Sequence, residues 1–439
     1  MRAILLQLAL LGIAVPVAAQ DVIGTWHGTW AKHGDALPVT VRFERSAAGL
    51  SGNFSSDALQ VEAIPFASVA AEGDRIRFEL RGDSSTTSFD GRLQGGRMAG
   101  TLREGGETGS FTLRRTAPSR SRFAEREVRF ANGAVTLSGT LFVPRVRGPR
   151  PAILFLHGSG PEGRWANHWL ARRFAEAGFV ALTYDKRGVG RSQGDWQTAG
   201  FELLAADAES GIGFLRSRAD VDPSRIGIYG HSQGGSVAPI VGAHDRRVAF
   251  IIASAAPGLV PAEVERYSVG NSIGISRLPE TERMDAARFI SAIVDVGYRG
   301  GARALLDALA REYQGRSWFF APPPPDNFYW RFAGGMAGFD PRAFWARVRA
   351  PVLLVYGDRD ERVPPDESAA AIRAALLGAG NRRVTLRIYP GADHNFVLTG
   401  GAAGDWPRHV TNYSLALVAW ALRQPPASRR DARIAANTR

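Results

Sequence analysis

The stretch from Arg225 to Ala238 restricts the fold of this chain more than any other. Arg225-Ile226-Gly227-Ile228-Tyr229 is a short apolar run of buried-strand type. It leads into Gly230-His231-Ser232-Gln233-Gly234, and Gly235-Ser236-Val237-Ala238 then supplies small residues that let a helix pack close to the strand it has just left. A strand, a sharp turn carrying a serine, and a helix with outward-facing first amides are what a nucleophilic serine at a sheet edge requires. The same Gly-x-Ser-x-Gly spacing occurs at Gly190-Arg191-Ser192-Gln193-Gly194 and at Gly270-Asn271-Ser272-Ile273-Gly274. The first of these sits in a glycine-broken loop pattern and the second in a polar stretch with no strand before it, so Ser232 is the candidate nucleophile.

A serine hydroxyl is unreactive at neutral pH and needs a base. His231 lies within the serine motif itself. His27 and His33 fall in an N-terminal strand-rich region, His157 and His168 precede the serine, and His244 falls within a helical pattern or at its end. His394 and His409 remain downstream. His394 lies in Tyr389-Pro390-Gly391-Ala392-Asp393-His394-Asn395-Phe396, a turn-rich loop directly after the strand-like Val384-Thr385-Leu386-Arg387-Ile388. His409 lies in an apolar-periodic C-terminal segment, where a helix-surface residue is expected. His394 is therefore the expected base.

A carboxylate must hold the tautomer of that base. Pro351 to Tyr356 reads as a buried strand and ends in Gly357-Asp358-Arg359-Asp360-Glu361-Arg362-Val363-Pro364. An acid just beyond a parallel strand's carboxyl end shares a face with the other two loops. Asp358 and Asp360 both satisfy that spacing, and at least one of them is expected to be a plain turn residue or helix cap.

Taken in order, these motifs resemble the α/β-hydrolase superfamily over about residues 126 to 425. His157-Gly158-Ser159-Gly160, after the strand Ala152 to Leu156, is similar to that family's oxyanion loop. Tyr184-Asp185-Lys186-Arg187-Gly188-Val189-Gly190-Arg191-Ser192 is similar to its Asp-x-Arg-Gly-x-Gly-x-Ser turn, which accounts for the extra match at Ser192. The family's Gly-x-x-Asp-x-x-Val-Pro setting selects Asp360 over Asp358. The resemblance implies a Ser232-His394-Asp360 triad, an oxyanion held by the backbone amides of Gln233 and Ser159, and hydrolysis through an acyl-enzyme without metal or other cofactor. Within the superfamily the chain looks most like secreted bacterial esterases related to dienelactone hydrolases and to the prolyl-oligopeptidase catalytic domain. A small-molecule carboxylic ester is the expected substrate, with a peptidase of the prolyl-oligopeptidase or aminopeptidase type, or an acyl thioesterase, as alternatives.

The periodicity changes along the 439 residues. Residues 20–116 show short alternating runs such as Arg75-Ile76-Arg77-Phe78-Glu79-Leu80, separated by glycine turns, and predict an antiparallel β-sandwich or barrel. That unit is also a candidate binding module for lipid, glycan or protein. A linker is expected at 117–125 and an α/β domain at 126–425, with strands alternating with helical patterns such as Trp169 to Ala177 and Phe201 to Arg216. An insertion at about 258–345 interrupts it, with helical patterns at Thr281 to Val296 and Gly301 to Tyr313, and should cap the site. Its aromatics Trp318, Phe319, Phe320, Phe328, Tyr329 and Trp330 flank Pro322 to Pro325. They are expected either to line an apolar pocket or to hold the insertion to the core.

Met1-Arg2, the apolar run Ala3 to Val17 and the small residues Val17-Ala18-Ala19 predict a signal peptide over 1–19 and export to the periplasm or beyond. No later segment is long and apolar enough to cross a bilayer, and the tail 426–439 is expected to be disordered. The chain has no cysteine, hence neither disulfides nor thiolate chemistry. Its net charge of +12 is carried by arginine, since Lys32 and Lys186 are the only lysines. The arginines are scattered among carboxylates without a basic stripe, so no nucleic-acid partner is expected. No serine has a lysine three residues later, which excludes a Ser-x-x-Lys mechanism. The sequence does not set an oligomeric state.

Overall fold

The computed structural model describes residues 22–47, 49–82, 85–117, 121–400 and 406–427. The expected signal peptide, residues 118–120 of the expected linker and nearly all of the expected tail lie outside the described residues. The chain forms two compact units.

The first unit is a single antiparallel sheet of nine strands: β1 (Gly24–Lys32), β2 (Asp35–Ser46), β3 (Gly49–Ser56), β4 (Val61–Pro65), β5 (Ser68–Glu72), β6 (Arg75–Arg81), β7 (Thr86–Gln94), β8 (Arg97–Glu104) and β9 (Glu107–Thr116). Their order is β4-β3-β2-β1-β9-β8-β7-β6-β5, an up-and-down meander in which β1 pairs with β9 and the edges fall at β4 and β5. It is one open sheet curled into a half-barrel, neither two packed sheets nor a closed barrel. The period-2 pattern explains it: along β7, Thr87, Phe89, Gly91 and Leu93 turn inward while their neighbours face out. The inward side holds an aromatic core in which Phe78 stacks on Phe89 at 4.4 Å and Trp30 lies 4.6 Å from Phe89.

The second unit is an α/β-hydrolase fold. Its sheet contains β10 (Phe123–Asn132), β11 (Val135–Pro144), β12 (Arg150–Leu156), β13 (Val180–Tyr184), β14 (Val221–His231), β15 (Phe250–Ser254), β16 (Val352–Gly357) and β17 (Val384–Tyr389). The order is β10-β11-β13-β12-β14-β15-β16-β17, antiparallel through β11 and parallel from β13 onward. Two helices, α1 (His168–Glu176) and α2 (Phe201–Arg216), precede the serine turn, and α3 (Gln233–His244) follows it. Between β15 and β16 the insertion forms α4 (Pro261–Ser272), α5 (Glu280–Tyr298), α6 (Arg303–Tyr313), α7 (Phe328–Gly335) and α8 (Pro341–Trp345). The chain then adds α9 (Pro365–Gly378) and α10 (Tyr413–Leu422).

Apolar residues run continuously through the central strands because both faces are covered. Leu154 and Leu156 of β12 enter the core beneath α2 and α3, whereas Ile153 and Phe155 enter the core beneath α1 and α10. Two local features differ from the sequence reading. Strand β10 starts at Phe123, inside the stretch read as linker, because that ring is buried 5.7 Å from Phe142. Strand β14 starts at Val221, ahead of the apolar run read from Arg225, and its first residues form an irregularity in the strand in which Asp222 accepts from the Ser224 amide at 3.0 Å.

Candidate active site

Ser232 joins β14 to α3 with φ 53° and ψ −116°, a conformation that costs an L residue about 1–3 kcal/mol. The glycines around it make the turn possible. A Cβ on Gly230 would lie 2.2 Å from the Gly234 carbonyl oxygen, and one on Gly235 would lie 2.5 Å from the Ala256 Cβ. The turn is pinned to the sheet where the Ser232 amide donates to the Ser254 carbonyl at 2.9 Å. Gln233 opens α3, and the first amides of a helix have no carbonyl partner within it and form the positive end of its dipole.

His394 and Asp360 follow the neighbouring strands β17 and β16. Asp360 is 1% exposed, and its Oδ1 accepts the Arg362 and Val363 amides at 2.8 Å each. His394 Nδ1 lies 2.9 Å from both carboxylate oxygens. The loop bearing His394 folds back on itself, with Asp393 accepting from the Asn395 and Val397 amides, and is tied to the acid loop by the Arg359 amide on the Ala392 carbonyl. Asp358, the other acid allowed by spacing, accepts the Gly391 amide at 2.7 Å and is a turn residue. His409 lies in an isolated bridge to Val397 ahead of α10, not on a helix surface as its periodicity suggested.

The other two serine matches have structural partners. Ser192 donates to the Asp185 carbonyl at 2.7 Å and accepts the Ser138 amide at 3.0 Å. Ser272 ends α4 with its hydroxyl on the Val269 carbonyl.

Ser232 and His394 open onto one cavity of about 420 Å³, together with Gly158, Ser159 and Gln233. Its upper wall comes from the insertion, including Val264, Glu265, Tyr298, Phe332 and Met336. Of the six aromatics expected to line it, only Tyr329 does, and its hydroxyl donates to Glu265 at 2.7 Å. Trp318, Phe319, Phe320 and Trp330 instead pack with Phe289 and Tyr313 as the insertion's own core, and Trp318 also donates from its indole to Glu282. Phe328 is exposed on one side and meets Trp196 at 5.5 Å. The Trp330 indole also donates to the Pro324 carbonyl at 2.8 Å.

Several site residues escaped the sequence reading. The ring of His231 lies 5.0 Å from that of His394, and burial lowers its pKa to about 3, helped by the His394 charge. His231 therefore stays neutral beside His394. Glu162 accepts the Gly158 amide at 2.7 Å, and burial raises its pKa above the ordinary carboxylate value despite the opposing Lys186 charge. The Lys186 ammonium reaches Gly158 O, Gly160 O and Gln233 Oε1, and burial lowers its pKa to about 8. A signal for Lys186 was present in its scarcity, since it is one of two lysines in the chain. None was present for Tyr298 or Met336, whose role depends on how the insertion folds. Among the described residues no cluster of His, Asp and Glu forms a metal site, and no helix is long and apolar enough to cross a membrane.

Residues 147–287 match the family described as serine aminopeptidase, S33, and residues 334–419 match the prolyl oligopeptidase family. A relative from Escherichia coli, described as an uncharacterized 31.7 kDa protein in the traX-finO intergenic region, is 25% identical over 264 residues, covering 58% of this chain and 86% of its own length. Esterase EstD of Thermotoga maritima is 23% identical over 279 residues, covering 62% and 60%. Among solved structures, a Pyrococcus furiosus esterase is 18% identical with a TM-score of 0.45, over 70% of this chain and 91% of that one.

Proposed function

The chain is a serine hydrolase of the α/β-hydrolase superfamily, and from that premise we propose that it cleaves carboxylic esters through Ser232, His394 and Asp360. The observation that carries this reading is a histidine clamped by a buried carboxylate at 2.9 Å while sharing a cavity with a serine on a strained turn. Asp360 keeps the proton on Nδ1 and leaves the Nε2 lone pair for the serine hydroxyl. As Ser232 Oγ attacks the ester carbonyl, its proton passes to His394, and the imidazolium is stabilised by Asp360. The carbonyl oxygen becomes an oxyanion received by the Gln233 and Ser159 amides. Collapse expels the alcohol, which takes the proton from His394. Water then attacks the acyl-enzyme by the same proton path, releasing the acid and regenerating Ser232.

The cavity supports an ester over a long peptide. At about 420 Å³, walled by residues such as Val264, Phe332, Met336 and Phe339, it holds a compact apolar acyl or alcohol group. A nine-stranded half-barrel also differs from the propeller that restricts entry in prolyl oligopeptidases. The peptidase reading stands second because both matching families are described by peptidase names.

Two measurements test the proposal. An organophosphonate should label Ser232 alone, and Ser232→Ala should lower kcat by about a millionfold. On a panel, short p-nitrophenyl esters should exceed aminoacyl and dipeptidyl amides in kcat/KM. Higher kcat/KM on the amides would replace the esterase reading with a peptidase one, and an adduct at any other residue would remove the triad. We also place the enzyme outside the cytoplasm, on the character of residues 1–19. Periplasmic or culture-fluid protein beginning at Gln20 supports this placement, and full-length protein confined to the cytosol refutes it.

A further inference from the structure

Lys186 is not one of the three residues that perform the chemistry, yet it touches both places where an oxyanion donor is assigned. Its side chain is buried, and its three hydrogen-bond acceptors are Gly158 O at 2.5 Å, Gly160 O at 2.7 Å and Gln233 Oε1 at 3.1 Å. An ammonium has three N–H donors, so its capacity is fully used. All three partners are uncharged. Burying an ammonium without a carboxylate in contact is costly, which makes Lys186 a poor choice if stability alone were served.

The geometry gives that cost a purpose. In a trans peptide unit the carbonyl and the next residue's N–H point in opposite directions. Drawing the Gly158 carbonyl onto the ammonium therefore turns the Ser159 N–H away from Lys186. Glu162 fixes the preceding unit from the other side by accepting the Gly158 amide at 2.7 Å. The Lys186 amide donates to the Glu162 carbonyl, so backbone and side chain of one residue grip the same loop. The third N–H holds the side chain of Gln233, the residue that supplies the other donor.

We propose that Lys186 is the positioning residue of the oxyanion hole, setting the Ser159 peptide unit and Gln233 relative to each other and polarising the Ser159 N–H through the Gly158 carbonyl. The inference rests on the esterase reading of this site. Hydrogen bonds in series strengthen one another, so a cation on the carbonyl makes the far N–H a better donor when negative charge forms. The residue type fits this task. The chain uses arginine almost everywhere else, but a planar guanidinium fork cannot bring three donors to three converging acceptors as a tetrahedral ammonium does.

The test is Lys186→Met, which keeps length and removes the donors. With a short p-nitrophenyl ester, kcat should fall about 100-fold, the order of losing one oxyanion donor, while KM stays within about threefold. The affinity of a trifluoromethyl ketone, whose hemiketal places an oxyanion in the hole, should fall by the same factor as kcat. Binding of a non-reactive ether analogue of the ester should not change. A residue with only a structural role would move all three together or move none. Wild-type kcat in Lys186→Met, or a kcat loss without loss of ketone affinity, overturns the proposal. If Lys186→Met loses its cooperative melt, Gln233→Met decides: it keeps the Gln233 amide and breaks one of the three bonds. It should lower kcat and ketone affinity together by about tenfold, and an unchanged kcat overturns the proposal. Wild-type protein not labelled at Ser232 by an organophosphonate defeats the esterase reading itself, whereas a labelled wild type with an unaffected Lys186→Met defeats only this inference.

Discussion

Replacing Asp360 with asparagine tests whether this carboxylate, rather than Asp358, sets the state of His394. The substitution preserves size, and the contacts dictate how the new amide must sit. Asp360 Oδ1 accepts the Arg362 and Val363 amides besides facing His394 Nδ1, whereas Oδ2 has His394 Nδ1 as its one partner among the described residues. The asparagine oxygen should take the Oδ1 place, since the reverse would set an NH2 against two buried N–H groups. Its NH2 then faces His394 Nδ1 at about 2.9 Å and donates to it. The Oδ1 place also lies 2.9 Å from Nδ1 but already accepts two amides, so donation from the NH2 favours the other ring tautomer, with the proton on Nε2, where it cannot accept from Ser232. The expected loss is about 10⁴ in kcat, or about 5 kcal/mol in activation free energy. Fold and KM should change little, because both backbone bonds to the side chain survive. The assay is steady-state ester hydrolysis with a thermal melt on the same sample. Asp358→Asn is the control, and it should stay within about threefold of wild type because an asparagine oxygen still accepts the Gly391 amide. A kcat for Asp360→Asn within about tenfold of wild type, or an equal loss in Asp358→Asn, would refute the assignment.

Ser192→Ala should lower stability by about 1–3 kcal/mol, since it leaves the Ser138 amide without its side-chain acceptor, and should still be labelled by phosphonate at Ser232; loss of labelling in folded protein would count against it. Phe332→Ala enlarges the cavity wall and should shift the kcat/KM ratio of longer to shorter acyl esters, whereas Phe319→Ala, in the core of the insertion, should leave that ratio unchanged; chain-length profiles of the two variants decide. Turnover should also decline as pH rises through about 8, where Lys186 loses its proton and turns a lone pair toward one of its three acceptors. The titratable groups near it are Glu162 and His157, the latter held neutral by a pKa lowered to about 3 through burial. Stability should respond with the opposite sign. A lysine whose folded pKa lies below its unfolded 10.5 costs stability up to about pH 8, and that cost is relieved between about 8 and 10.5. A pH-rate profile of wild type against Lys186→Met isolates this limb, which should be absent from the variant.

The three residues proposed for the chemistry could be picked out in the sequence because each lies just past a strand with a strong local signature. The apolar run before Ser232, the small residues after it and the acid-bearing loop after Val352–Gly357 carry their own geometry wherever the sheet forms. Asp360 and Asp358 could not be separated by spacing alone, because both sit at the same strand end and only the fold decides which one turns toward His394. The insertion was legible as an insertion but not as a wall. Aromatic clusters at 318–320 and 328–330 look alike in sequence, yet α5 and α6 offer an apolar face that absorbs most of those rings. Tyr329 reaches the cavity because it lies on α7 opposite Glu265 of α4. The half-barrel was ambiguous for a different reason: alternating runs fix which side chains face inward, but not whether the two edges curl toward each other or stack as separate sheets.

Strand order explains why the cavity wall belongs to the insertion. In the proposed mechanism the oxyanion loop follows β12, the serine follows β14, the acid follows β16 and the base follows β17, and in the sheet these strands run β12-β14-β15-β16-β17. At a spacing of about 4.8 Å, β14 and β17 are about 14 Å apart, so the folded-back loop of His394 has to cross two strand ends to share a cavity with Ser232. Strand β15 carries no chemical residue, but it ends in the middle of that row, between the nucleophile and the acid. A segment inserted after β15 therefore rises directly over the gap that the base must cross. Leu259, Val264 and Glu265 line the cavity as the chain leaves β15, before the insertion has built a core of its own. The attacking groups are thus fixed by sheet register, while the groups that meet the substrate's remote parts hang from one strand end. On the proposed mechanism, substitutions within α4 to α7 should alter which ester fits without moving Ser232, His394 or Asp360, whereas a substitution at Lys186 should alter turnover for every substrate the cavity admits.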